Sequence, residues 1–285
     1  MCQLWQEYTT QMFKWYTVTN LKILCNFGTG DTVNQILWME SVSNRPYDII
    51  ASGRNVGIIH CVFAFLQKNK PTMFSGHLTS FDVPLHGFPP NLEVIGINPR
   101  QDINNLPNES VIHVHTGPRD WHPFISCSLN LDTTLPQAAL PFSKKTCILF
   151  AERSDNVCVD NELWLQIIIK LQEKGYEIFS NISGKDTVYN NEKTFPNTLP
   201  LSLSHIDLCN KIKASDPNNV ICIGQRSGMF DLLKWAHIKK IVLYPNNPVN
   251  FYEMCNFQTD PSSKNTHDIP IVHVIDTVEK VEQLL

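Results

Sequence analysis

Short apolar runs that end in glycine-bearing or polar turns and open onto amphipathic stretches recur along the whole sequence. Leu21-Lys-Ile-Leu-Cys25 leads through Asn26-Phe-Gly-Thr-Gly30 into the amphipathic segment Asp31–Met39, and Tyr47–Ala51 leads into Val56–Leu66. Further apolar runs follow at Thr72–Phe74, Leu92–Ile97 and Val111–His115. Runs of this length predict strands, the longer segments with helical spacing predict helices, and their alternation predicts parallel β-α units rather than a sandwich.

The pattern then starts again. Asp132 to Lys145 carries Pro136, Pro141 and Ser143 without strong periodicity and reads as a linker. Beyond it, Thr146–Phe150 predicts a strand, Asn161–Glu173 a helix closed by Gly175, and Glu177–Ser180 a strand. Next come a loop, a helix near Ser204–Ala214, a strand at Val220–Ile223, a helix over Ser227–Ala236, strands at Lys240–Leu243 and Ile271–Ile275, and a last helix from Val278 to Leu285. A chain of 285 residues accommodates two domains. The expected architecture is α/β, with two Rossmann-like domains facing a cleft: residues 21–140 and 145–285, preceded by an amphipathic helix within residues 1–20.

In that leading segment Trp5, Tyr8, Met12, Trp15 and Tyr16 fall on one helical stripe. Residues 1–19 are open to two readings, a helix packed on the first domain or a contact with a membrane surface or partner protein. Few Lys or Arg flank the stripe, which weighs against the membrane. A signal peptide is not expected, because no basic region with an apolar core opens the chain, and no apolar stretch reaches the roughly 20 residues of a membrane span. Nine cysteines without a CxxC pair, several inside apolar runs, are expected as buried reduced thiols in a cytoplasmic protein. A net charge of −4 gives no general grip on nucleic acid, so any phosphate site has to be local.

The strongest local signal is Val220-Ile-Cys-Ile-Gly224-Gln-Arg226-Ser227-Gly228-Met-Phe-Asp231. An apolar strand here runs through a turn into a helix, whose first N–H groups and dipole favour an anion. Gly224 and Gly228 allow close backbone approach, Ser227 caps the helix or bonds a phosphate oxygen, and Arg226 offers a planar fork to a diphosphate. Arginine is scarce, with only Arg45, Arg54, Arg100, Arg119, Arg153 and Arg226, so one beside a Ser-Gly turn stands out. The first strand ends similarly, in Gly28-Thr29-Gly30-Asp31. Asp31 at the first helical turn is read both as a helix cap and as a carboxylate facing the cleft. Val33 occupies the place of the third glycine of a dinucleotide fingerprint, which weakens a reading as an NAD site.

A third loop, Glu152-Arg153-Ser154-Asp155, follows the first strand of the second half. Arg153 and Ser154 are candidates for phosphate contacts, and Glu152 and Asp231 for a ribose or donor-sugar hydroxyl. His113 and His115 share one face of a strand but lack a third ligand at a recognisable spacing, so no metal site is expected.

The order and character of three of these segments resemble the heptosyltransferase-like glycosyltransferases of family 9, which have the two-domain GT-B architecture. They are Ile23–Thr32, Cys147–Gly175 and Val220–Leu233 with the following Lys239-Lys-Ile-Val-Leu-Tyr-Pro245. The resemblance implies a glycosyltransferase that needs no cofactor or metal, takes a nucleoside-diphosphate sugar as donor and passes the sugar to a saccharide or glycoconjugate acceptor. It assigns Asp31 as the base on the acceptor side, beside Gly28, Thr29 and Gly30, and Arg226, Ser227 and Gly228 as the cradle of the donor diphosphate. It also implies a role in bacterial surface polysaccharide synthesis. Two other readings stay open: a nucleotide-sugar epimerase or hydrolase of the same fold, and a non-catalytic sugar-nucleotide or protein-binding module.

Overall fold

Every residue of Leu21-Lys-Ile-Leu-Cys25 is buried, as expected of an apolar run with strands on both sides and helices above and below. The computed structural model describes residues 20–25, 28–52, 55–66, 68–76, 94–97, 102–108, 110–114, 140–151, 159–181, 195–201, 203, 205–234, 236–245 and 265–285. The aromatic stripe of residues 1–19 and most of the expected linker lie outside them.

Strand β1 (Leu21–Cys25) pairs in parallel with β2 (Tyr47–Ser52) on one side and β5 (Val111–Val114) on the other. With β3 (Met73–Gly76) beyond β2 and β4 (Val94–Ile97) beyond β5, the first sheet has the order β3-β2-β1-β5-β4. The second sheet contains β6 (Thr146–Phe150), β7 (Glu177–Asn181), β8 (Leu199–Leu201), β9 (Val220–Gln225), β10 (Lys239–Pro245) and β11 (Thr266–Ile271). It is also parallel, with the order β11-β10-β9-β6-β7-β8. Its central strands β6 and β9 are buried at every position, whereas edge strand β8 exposes Leu199 and Pro200.

Six helices are described: α1 (Thr29–Val42), α2 (Val56–Leu66), α3 (Asn161–Glu173), α4 (His205–Ala214), α5 (Gly228–Leu233) and α6 (Val274–Leu284). Helix α3 shows how local sequence sets its limits. Asp160 caps its start by accepting the Glu162 N–H at 3.0 Å, and Gly175 ends it with φ +76°. There the N–H groups of Gly175 and Tyr176 return to the carbonyls of Gln172 and Leu171, satisfying two acceptors at the helix end. Its apolar face, Leu163, Trp164, Ile167, Ile168 and Leu171, packs into the core beside β7, and α6 lies against the helix.

Three expectations are corrected. The last strand is not Ile271–Ile275: β11 ends at Ile271, and Ile275 is an exposed residue in α6. The helix expected over Ser227–Ala236 is the shorter α5, and β8 forms where a loop was expected.

The two halves meet along helices. In α1 only Asn34 interrupts the buried run from Thr32 to Met39, as befits a helix enclosed on several sides. It packs on β1, α2 and, across the seam, α5. Helices α2 and α4 form a second contact across the seam, where the thiols of Cys61 and Cys209 are hydrogen-bonded. Both cysteines are free and buried, as are Cys25, Cys147 and Cys222.

Candidate active site

In each sheet the chain runs outward in one direction and then returns to continue on the other side of its first strand. The order therefore reverses between β1 and β5 in one sheet and between β6 and β9 in the other. Beyond the carboxyl ends of strands at such a reversal, the connections diverge and leave a crevice, the usual ligand site of an open α/β sheet. The turn after β1 carries Gly28–Asp31, and the turn after β9 carries Arg226–Gly228. These are the two glycine turns singled out in the sequence.

The structure sets them against each other. A Cβ added to Gly228 would overlap the Gly30 N and crowd Thr29, and one added to Gly30 would overlap Asp231 Oδ2 and press on the Gly228 Cα at 3.3 Å. The two glycines are thus in backbone contact across the seam: a side chain at 228 would meet backbone, and one at 30 would have to displace the Asp231 carboxylate. Gly224 differs from the sequence expectation. Its missing Cβ makes room for Phe150 on β6 and for Phe230, whose rings meet edge to face at 5.7 Å, so its close approach serves the core.

Asp31 is the third residue of α1 and keeps solvent on one side. Gly28, not Asp31, holds the cap position expected of Asp31; from the first turn the Asp31 carboxylate accepts the Gly28 N–H, a bond back to the helix start. Protein packed on its other side raises its pKa, first by stripping water and then through the negative charge of Asp231. Arg226 and the Gly28 N–H oppose that rise.

Arg226 leaves the end of β9, where its N–H bonds the Leu243 carbonyl at 2.9 Å. Its Nη1 donates to Asp231 Oδ2 and to the Ser227 carbonyl, both at 2.9 Å. The side chains of Arg226 and Asp231 are only 12% and 6% exposed. Such a pair holds the guanidinium in one orientation, and removing either partner would leave a charge poorly compensated inside protein. Asp231, expected near a ribose or donor-sugar hydroxyl, is placed against Arg226. Ser227 precedes α5 in an extended conformation, but its side chain makes no capping bond to the helix.

Asp31, Arg226 and Asp231 thus form one electrostatic group drawn from both halves, beside the paired turns at Gly28–Gly30 and Ser227–Gly228. Glu152, Arg153 and Ser154 lie outside the described residues. So does His115. Among the described residues no group of three His, Cys, Asp or Glu is placed to hold a metal ion, and no helix is long and apolar enough to cross a membrane.

No protein-family model and no curated protein matches the sequence. Solved structures do match the fold. Heptosyltransferase WaaC of Escherichia coli, solved with ADP, superposes with a TM-score of 0.54 at 10% identity, over 93% of this chain and 98% of that one. The ADP-heptose lipopolysaccharide heptosyltransferase II of E. coli gives a TM-score of 0.52 at 13% identity, over 93% and 96% of the two chains. A family 9 glycosyltransferase from Veillonella parvula gives 0.53 at 8% identity, over 94% and 98%. The fold is that of the heptosyltransferases. This GT-B likeness runs through nearly the whole length of both chains and not only one Rossmann-like half.

Both turns are legible in the sequence, but their contact is not, and the separate roles expected for Arg226 and Asp231 leave out their pairing. The signal for their pairing was a lone arginine on a turn with an aspartate five residues on, inside the short helix that the turn begins.

Proposed function

We propose that the chain is a metal-independent glycosyltransferase, moving a sugar from a nucleoside-diphosphate donor to a hydroxyl of a saccharide or glycoconjugate acceptor. The observation that carries this reading is the meeting of the two glycine turns, each beyond the reversal point of its own sheet. It brings a carboxylate with a raised pKa on one half to a guanidinium anchored on the other. The shared fold supports it, and the ADP held by WaaC supports a nucleoside diphosphate as the donor's leaving group.

The transfer needs two things of the protein. Asp31 takes the proton of the acceptor hydroxyl as its oxygen bonds to the anomeric carbon, and the bond from that carbon to the diphosphate breaks in the same step. Arg226, with Ser227 and the N–H groups of its turn, takes up the negative charge that grows on the leaving diphosphate. A single displacement inverts the anomeric carbon. The lipopolysaccharide named for the E. coli heptosyltransferase II favours a bacterial surface polysaccharide as the acceptor.

The test is turnover of UDP-, GDP- and ADP-sugars with and without added oligosaccharide acceptors. Asp31→Asn is expected to slow acceptor-dependent release of nucleoside diphosphate by about 10²–10⁴-fold while donor still binds. Turnover at the wild-type rate in that variant would remove Asp31 as the base, and donor breakdown that ignores the acceptor would indicate hydrolysis or epimerisation instead.

A further inference from the structure

We propose that Asp231 is a positioning residue for both reacting groups, anchoring the Arg226 guanidinium and stationing a second carboxylate beside Asp31 where α5 docks on α1. This rests on the transferase reading and assigns Asp231 a role that acts through Arg226 and Asp31.

The geometry leaves Asp231 little freedom. Its Oδ2 accepts from Arg226 Nη1 at 2.9 Å, and the same oxygen fills the space where a side chain on residue 30 would begin. The carboxylate is 6% exposed, so water screens it weakly and its charge acts on both neighbours. Toward Arg226 it is an attractive anchor. Toward Asp31 it is a like charge, which makes a proton on Asp31 easier to keep. A base that must take a proton from a sugar hydroxyl gains from that bias.

The other groups around Asp31 are limited. Arg226 and the Gly28 N–H act in the opposite direction. On its own helix α1, Glu40 stands two turns further along, engaged by Tyr47 and Lys68. From α2, which packs on both α1 and α5, the titratable side chains are His60, whose Nε2 is 3.3 Å from Lys70 Nζ, and Cys61, which is bonded to Cys209. Asp231 is therefore the negative charge among the described residues that raises the Asp31 carboxyl.

The experiment is an NMR titration of ¹³C-carboxyl-labelled aspartates in the full chain, with the Asp31 signal assigned by its loss in Asp31→Asn. In Asp231→Asn the Asp31 titration is expected to move to lower pH, because a repelling charge is gone and Arg226 has lost its competing partner. Asp231→Glu, which restores the charge, is expected to move it back toward the wild-type position. Gly30→Ala tests the same contact if Asp231→Asn does not fold. Its methyl group would push Oδ2 away from the seam and move the Asp31 titration in the same direction by less. The acid limb of kcat/KM is expected to follow these shifts. An Asp31 titration that stays in place when Asp231 is neutralised or displaced overturns the proposal. Because the titration needs no turnover, a protein that proves inactive toward every nucleoside-diphosphate sugar defeats the transferase reading without deciding this one.

Discussion

Lys240 shows at the scale of one residue how burial becomes chemistry in this chain. It lies in the buried strand β10, and its Nζ donates to the carbonyls of Ala236 at 2.5 Å and Ile238 at 3.1 Å. Burial brings its pKa down to about 8 from 10.5, with Cys222 pulling slightly the other way. The folded state then binds fewer protons than the unfolded chain between pH 8 and 10.5, so this lysine destabilises the fold below that window and stability rises with pH across it. Relative to Lys240→Met, which does not titrate, the wild-type unfolding free energy in urea is expected to grow by about 3 kcal/mol from below pH 8 to above pH 10.5. A difference that stays flat over that range would mean the ammonium is no harder to keep in the fold than in water. Reading the sequence residue by residue reached Asp31 and Arg226 through their places on glycine turns. It could not reach the Asp31–Asp231 repulsion, which arises only when two segments 200 positions apart are brought together.

At the scale of elements, chemistry written locally was legible and chemistry set by distant packing was not. The limits of α3 follow from Asp160 and Gly175, both in the sequence, and the helix forms over Asn161–Glu173 as the pattern predicts. Asp160→Ala is expected to remove one capping bond and about 1 kcal/mol, lowering Tm by about 2–4 °C. An unchanged melting curve would show the cap to be redundant. By contrast, Ile271-Val-His-Val-Ile275 has the apolar character of a strand, yet only Ile271 belongs to one, its last two residues open α6, and the strand itself is the more polar Thr266–Ile271. An edge strand needs burial at only some positions, and β11 achieves it with Thr266 and Ile269. Its sequence therefore looks weaker than the exposed residues beside it. The sequence pattern overstates the length of the short helix α5 for a related reason. Its apolar spacing continues past Leu233, although the helix does not.

At the scale of the whole molecule, the repeated alternation of strand and helix foretold two parallel sheets, and the sheets have reversal points where the two glycine turns stand. The facing of those turns depended on how α1 and α2 dock on α5 and α4, a contact spread over many residues that no motif encodes. Once docked, Gly30 and Gly228 touch, and the charges of Arg226 and Asp231 act on Asp31. The central claim is that this site takes a nucleoside diphosphate through Arg226. The most direct test is calorimetry of UDP, GDP, ADP, CMP and NAD binding to the wild type, to Asp231→Asn, and to Asp231→Asn with Arg226→Gln. The paired substitution leaves no buried charge without a partner, so loss of binding in it does not simply report a damaged fold. The account predicts that one nucleoside diphosphate binds the wild type and Asp231→Asn, and that the added Arg226→Gln weakens it at least about tenfold, the loss of one charge-assisted bond. Equal binding with and without Arg226, or binding of none of the nucleotides, would contradict it.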